Sequence, residues 1–420
     1  MTDPFRVAMI TTTFFRNSHA GALGSRFLYG FPTDDGWVEP RVEVASIYID
    51  QIHEEDVGRQ IARDFGVPIY ESIRGALTLG GDELAVDAVL LIGEHGDYPR
   101  TALGQEMLPR RYFFEQICGT IEEAGRAVPV FSDKHFAYRW DDAQWMYERA
   151  KELGVPLWAA SALPVSWREP AFEHRLGEPI EQAMSIGFHM LERYGFHALE
   201  SLQCQVERRE GGETGVRSVE CLSGEAVWRA ADEGRWSREL AAAAMGTMKD
   251  GSGGLDVVRA ADPYVFLIEY NDGLMGAALM LSEDHVEQFA YAQVRGGAID
   301  AFVFNTASGD GHAIFSYLGL NIEDFFLTGR VPNPVERTYL TTGILEAAMR
   351  SRHEGGRRVE TPHLDIVYEA SAPGCRRPTG ERPTGASLEP SPMPRAGETA
   401  GAASIAVTRN GTTHGRAGSG

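Results

Sequence analysis

The sequence predicts an α/β protein: an N-terminal, Rossmann-like doubly wound parallel sheet, then an α+β domain with a large, mostly antiparallel sheet. Three observations carry this. Short apolar runs alternate with amphipathic helical stretches from Arg6 to Ser161, the pattern of a parallel sheet with crossover helices. The stretch LPVSWREPAFEHRLGEP that follows has several prolines and no clean period, which marks a crossing between domains. Beyond it, the apolar runs YVFLIEY and MGAALML flank the turn residues NDG, a hairpin signal.

Each element has its reason. RVAMI is an apolar run for a buried first strand, and residues 17–30 have helical character. VEVASIYI is the second strand. DVGRQIARDF places Val57, Ile61 and Phe65 on one helical face. VPIY is a short third strand, and LAVDAVLLI, apolar almost throughout, reads as a fourth strand buried on both faces. A helix at 111–124, the strand VPVFS, a helix at 141–153 and the strand VPLWAAS complete the sheet. Helical stretches at 180–210 and 224–248 precede the hairpin, and AIDAFVFNT reads as a further strand. From residue 371 the chain is rich in Pro, Gly, Ser, Thr and Ala and predicts a disordered tail. The expected divisions are therefore 1–162, 163–370 and 371–420.

Composition excludes several classes. The formal charge of −21 is the wrong sign for a general nucleic-acid binder. No apolar run is long enough to span a bilayer, and MTDPFR leads directly into a strand without a secretion signal, so a cytoplasmic protein is expected. The four cysteines have no CxxC spacing, which argues against a structural zinc site and a disulfide framework.

The polar residues worth attention sit after predicted strands, where this fold class binds ligands. Thr11, Thr12, Thr13, Phe14 and Arg16 follow the first strand, Asp50 the second, Glu94, His95 and Asp97 the fourth, and Asp133, Lys134 and His135 the fifth. Arg193, His197 and Glu200 share a predicted helix of the second domain.

In order and spacing, these stretches resemble the Gfo/Idh/MocA oxidoreductases over about residues 5–368. That family has a strand followed by GxGxxGxxHA; here Thr11, Thr13 and Arg16 replace the glycines, while His19-Ala20 match. Asp133-Lys134-His135 stand where the family has Glu-Lys-Pro. Gly195, His197 and Glu200 match its Asp-x-Gly-x-His-x-x-Asp, with Arg193 in place of the leading acid. The resemblance implies NAD or NADP, a sugar, cyclitol or related polyhydroxylated substrate, and a homo-oligomer formed through an open sheet face. It implies Lys134 and His197 as catalytic residues. The first-turn residues with Asp50, Glu94 and His95 would face the cofactor. Asp97, Asp133, His135, Arg193 and Glu200 would lie toward the substrate. Threonine fills space that glycine leaves for phosphate, but hydroxyls and Arg16 could bond phosphate instead.

Two other readings compete. His95, Asp97, His135 and His197 are ligand types for Zn²⁺ or Mn²⁺, which would make this a non-redox metal-dependent enzyme on a Rossmann scaffold. The third reading is a binding protein that has lost catalysis.

Overall fold

The computed structural model describes residues 4–188, 190–249, 254–255, 262–307, 312–371 and 374–396. Its first sheet has six strands: β1 (Arg6–Thr11), β2 (Glu43–Ile49), β3 (Ile69–Tyr70), β4 (Ala88–Ile92), β5 (Val130–Asp133) and β6 (Leu157–Ala160). All pair in parallel, in the order β3-β2-β1-β4-β5-β6. This is the doubly wound order, and it reverses between β1 and β4. The register there pairs Thr11 with Ile92, so the segments after these residues open side by side. Every β4 side chain is buried, as the unbroken apolar run requires.

Four helices flank this sheet: α1 (Gly58–Phe65), α2 (Ile73–Thr78), α3 (Arg110–Ala124) and α4 (Trp140–Leu153). After β1 the chain makes a π-turn at Ala20–Gly24, a short helix at Arg26–Tyr29 and a hairpin of Phe31–Thr33 with Gly36–Val38. The helical expectation for residues 17–30 is met only by these short pieces. The hairpin is absent from the sequence reading because its strands are three residues each.

The second sheet has eight strands: β7 (Trp167–Glu169), β8 (Gln182–Phe188), β9 (Val216–Ser223), β10 (Tyr264–Tyr270), β11 (Met275–Leu281), β12 (Phe289–Arg295), β13 (Ala298–Asn305) and β14 (Val359–Glu360). Their order is β14-β9-β10-β11-β8-β12-β13-β7, antiparallel except for β8 beside β11. The β10–β11 hairpin forms as its turn residues predict. The helical expectation for 180–210 is corrected: β8 comes first, then helix α5 (Leu191–Val206). A short apolar run buried on both faces carries no period that separates strand from helix. The stretch 224–248 is broken into α6 (Glu225–Asp232) and α7 (Arg238–Gly246), the second capped by Ser237, which accepts from the Leu240 amide. Helices α8 (Ile314–Thr328) and α9 (Glu336–His353) complete the fold.

Both faces of the second sheet are covered. Phe266, Ile268, Ala278, Met280 and Tyr291 join the core that α5, α8 and α9 share with the first sheet. Val265, Leu267, Ala277, Leu279, Ala290 and Val303 pack under Trp228, Trp236, Leu240 and Met245 of the α6–α7 segment. The expectation of a bare apolar face is therefore corrected, and with it the reason given for a homo-oligomer: this chain covers that face itself.

The tail expectation is corrected at its near end. Residues 374–396 lie against the body: Asn321 bonds the Arg376 backbone, Arg382 pairs with Glu169, and the Thr384 amide donates to Asp34. The expected disorder of 397–420 falls outside the described residues.

Two glycines permit close approach near the strand ends. A Cβ on Gly21 would sit 2.2 Å from the Phe15 carbonyl oxygen, and one on Gly93 would sit 2.7 Å from the Arg110 side chain. Gly119, in the middle of α3, has open space around it. Gly21→Ala is therefore expected to lower stability by about 2 kcal/mol or more, whereas Gly119→Ala raises it by roughly 0.5–1 kcal/mol. Denaturant midpoints of the two variants check both signs.

Candidate active site

The segment after β4 begins with Gly93 and Glu94. Because Gly93 lacks a side chain, the fully buried Arg110 of α3 lies against it and reaches Glu94. Arg110 Nη2 donates to Glu94 Oε1 at 2.6 Å, and Lys134 Nζ donates to Glu94 Oε2 at 2.8 Å. Burial alone would raise the Glu94 carboxyl. Lys134 and Arg110 overcome that and hold it well below the usual carboxylate range.

The next residues are conformationally unusual. His95 (φ 67°) and Lys134 (φ 64°) are both left-handed, each just past the end of a central strand. Non-glycine residues in this region mark sites where surroundings over-determine the backbone. Here the conformation turns both side chains into the same cavity.

That cavity has a volume of about 290 Å³ and draws on both halves of the chain. Asn17, His19, His95 and Lys134 line it from the first sheet's loops. Arg193, Tyr194 and His197 line it from α5, and Phe188, Phe289, His312 and Phe315 supply much of the remaining wall. His19 Nδ1 lies 2.6 Å from Asp133 Oδ2, and its ring packs edge-on against His95 and Phe315. His197 Nδ1 lies 2.7 Å from Ser161 Oγ, which also accepts from the Leu163 amide. Burial, followed by the nearby Lys134, holds His197 well below the usual histidine range. Burial lowers His95 to about 3 despite the adjoining Glu94, and its Nε2 is buried without a protein partner.

Of the residues singled out in the sequence, Lys134, His197, His95 and Arg193 meet at this cavity, with Glu94 and Asp133 anchoring two of its walls. Others lie elsewhere. His135 is buried beside Arg110 and Glu192, away from the cavity lining. Glu200 is buried against α9 and accepts from Thr338 and Thr341. It therefore serves helix packing, not a substrate. Asp97 is exposed, and its backbone bonds Gln51. The expected metal set of His95, Asp97, His135 and His197 is accordingly not assembled. A different trio, His19, Glu94 and His95, brings its ligand atoms within 4.8 Å of one another. Both Glu94 oxygens in that trio already hold cations, which a metal ion would have to displace. His19 enters the sequence reading only through the matching His19-Ala20 pair, which is the available signal for its place in the cavity.

The first turn is built differently from its expectation. Thr11 Oγ1 donates to the Tyr48 carbonyl and Thr12 Oγ1 to the Glu94 carbonyl, so neither hydroxyl faces a ligand. The Phe14 side chain is wholly buried in the core. Thr13 Oγ1 is buried without a partner, and the Thr13 and Phe14 amides donate to no protein acceptor among the described residues. Arg16 donates to the carbonyls of Ser391 and Met393. Asp50, past β2, accepts from the hydroxyls of Tyr48 and Tyr98 at 2.8 and 2.7 Å. The donors without a protein partner at Thr13, Phe14 and His95 form a set of the kind a dinucleotide can use. The set is carried by backbone and hydroxyl groups where the family uses glycines.

No protein-family model matches the sequence, and no curated protein matches it. Solved structures do match. GenD2 from gentamicin A biosynthesis, in complex with NAD, aligns at 17% identity and TM-score 0.54 over 86% of this chain and 97% of its own. Apo scyllo-inositol dehydrogenase from Lactobacillus casei aligns at 8% identity and TM-score 0.53 over 86% and 99%. Myo-inositol 2-dehydrogenase from Lactobacillus plantarum aligns at 12% identity and TM-score 0.50 over 85% and 99%. The chain has the fold of these structures. What these proteins share with it is architecture across nearly their whole length, as the sequence resemblance implied.

The buried imidazoles predict acid sensitivity. The folded state keeps His95 neutral down to about 3, while an unfolded histidine titrates near 6.5. Between those values the unfolded chain binds more protons, so this contribution is complete above pH 6.5 and is lost as pH falls. His197 and His135 shift in the same direction. Thermal unfolding from pH 7 to 5 should show a falling midpoint. His95→Asn, which tolerates the left-handed backbone, should flatten that fall by up to about one proton.

Proposed function

We propose that this protein is an NAD(P)-dependent oxidoreductase acting on a CH–OH group of a sugar, cyclitol or related polyhydroxylated small molecule. The observation that carries the reading is the convergence of Lys134 and His197 on one cavity where the first sheet's order reverses. The name of one structural neighbour includes bound NAD, and two others are inositol dehydrogenases.

The cavity suits such a substrate. Phe188, Tyr194, Phe289 and Phe315 offer flat apolar faces for the C–H side of a ring, and Lys134, Arg193 and the imidazoles supply polar contacts. Lys134, held by Glu94, donates a hydrogen bond to the reacting hydroxyl oxygen. His197 is uncharged near neutral pH, the state a proton acceptor needs. Its Nδ1 donates to Ser161 in this reading, which leaves Nε2 to take the hydroxyl proton as the carbinol becomes a carbonyl. Asp133 orients His19 at the cavity rim. The Thr13 and Phe14 amides with the Thr13 hydroxyl would hold the diphosphate, joined by Arg16 once it releases the Ser391 and Met393 carbonyls. Asp50 would hold a ribose, and His95 would face the nicotinamide end. When bound, the nicotinamide supplies the hydride acceptor.

The test has two arms. Fluorescence titration with NADH and NADPH should show saturable binding of at least one of them. Turnover of a polyol panel, followed as nicotinamide reduction, should fall about 100-fold or more in His197→Gln while nucleotide affinity stays within a few-fold. Absence of binding by either nucleotide, or full turnover in His197→Gln, would overturn the reading.

A further inference from the structure

A second cavity, of about 160 Å³, lies away from the residues used above. Arg168 on β7, Arg208 just after α5, Arg337 on α9 and Arg377 in the final segment all line it. The acids among its lining residues are Glu173 and Glu207. Four arginines against two glutamates leave two positive charges around a small, partly open space.

The glutamates consume only part of the donor capacity. Arg337 uses Nε and Nη2 on Glu207, which leaves Nη1. Arg208 bonds the His174 carbonyl through Nε, which also lies 3.6 Å from Glu173 Oε1, with both Nη groups donating to no protein acceptor among the described residues. Arg377 pairs with Glu173 through Nη2 alone. Arg168 is 2% exposed; its Nη groups bond Glu173 and the Phe172 and Pro164 carbonyls, while its Nε is buried without a partner. Arg168 and Arg337 are buried and Arg208 and Arg377 half-buried, and an excess of such cationic charge with unpaired N–H groups is unfavourable unless something answers it. Guanidinium forks best match an oxyanion that carries several acceptor oxygens.

We propose that this cavity is a binding site for a small dianionic oxyanion of the phosphate class. Two charges match the excess, and the volume admits a phosphate or a compact phosphate ester but not a nucleotide. Asn333 and Cys375 complete the wall, the thiol donating to Asn333 Oδ1 at 3.1 Å. Because Ser371, Gly374, Cys375 and Arg377 belong to the final segment, the ligand would fasten that segment to β7, α5 and α9. Cys204, on the same wall, lies two turns along α5 from His197, so the ligand and the catalytic cavity share one rigid helix.

The experiment is thermal unfolding of the full chain in inorganic phosphate and in methyl phosphate, each against sodium chloride of equal ionic strength. Saturating phosphate should raise the midpoint by about 3 °C or more over chloride. Arg377→Met and, as an independent second variant, Arg208→Gln should each lose most of that rise. A matching response to methyl phosphate would identify esters as the source, and a response to phosphate alone would identify the free ion; either supports the site. Equal midpoints in phosphate and chloride would overturn it. So would an undiminished rise in both variants, because the ion would then bind elsewhere, for instance at the first turn. Neither arginine belongs to the proposed catalytic cavity, so failure here leaves the redox reading untouched.

Discussion

The carboxylate of Glu94 is the constraint on which the rest of the site depends. It sits fully buried at the sheet's point of reversal and holds one cation with each oxygen. Such a buried triad is weak as a source of stability, because desolvating three charges offsets most of their attraction. Its value is positional. Gly93 leaves the room in which Arg110 lies against the strand end, and Lys134 cannot leave without stripping Glu94 Oε2 of its partner. The left-handed backbone at Lys134 is tolerated because this bond and the hydrogen bond from its amide to the Ala160 carbonyl fix it from both ends.

The first sheet was legible because its strands are apolar runs separated by helices with clean periods. The residues at its strand ends were legible for a related reason: topology brings them together whatever their identity. Lys134 and His95 are of this kind, whereas His197 lies on α5 and was singled out through the family resemblance. His135 and Glu200 could not be assigned correctly, because a step of one residue past a strand, or of three along a helix, turns a side chain from cavity to core. His135 follows Lys134 and points into the core beside Arg110; Glu200 follows His197 by three and faces α9. Spacing alone does not reveal which neighbour takes up a charge.

Loss of the glycine motif has a physical resolution. The motif serves a tight turn, close approach to phosphate and close packing of helix on strand. Gly21 provides close packing later in the segment, with no room for a Cβ against the Phe15 carbonyl. Thr11 and Thr12 turn their hydroxyls onto backbone carbonyls, so the polar atoms that looked like ligand groups instead brace β1 against its neighbours. Only Thr13 retains unmet capacity. A sequence can announce that glycines are missing, but not which of the replacements are spent internally.

The second sheet carries the same lesson into assembly. An open apolar face would demand a partner copy, yet Trp228, Trp236, Leu240 and Met245 of this chain already bury it. The α6–α7 segment therefore removes the usual hydrophobic reason for pairing through that face. The final segment acts on the opposite side of the molecule's economy of charge. It contributes Arg377 to a cavity already rich in arginine, then runs on to place the Ser391 and Met393 carbonyls on Arg16. A carbonyl is a weaker acceptor for a guanidinium than a diphosphate oxygen. The contact at Arg16 is therefore weaker than one to a diphosphate would be, while around Arg377 the carboxylates of Glu173 and Glu207 take up only part of the donors that four arginines offer.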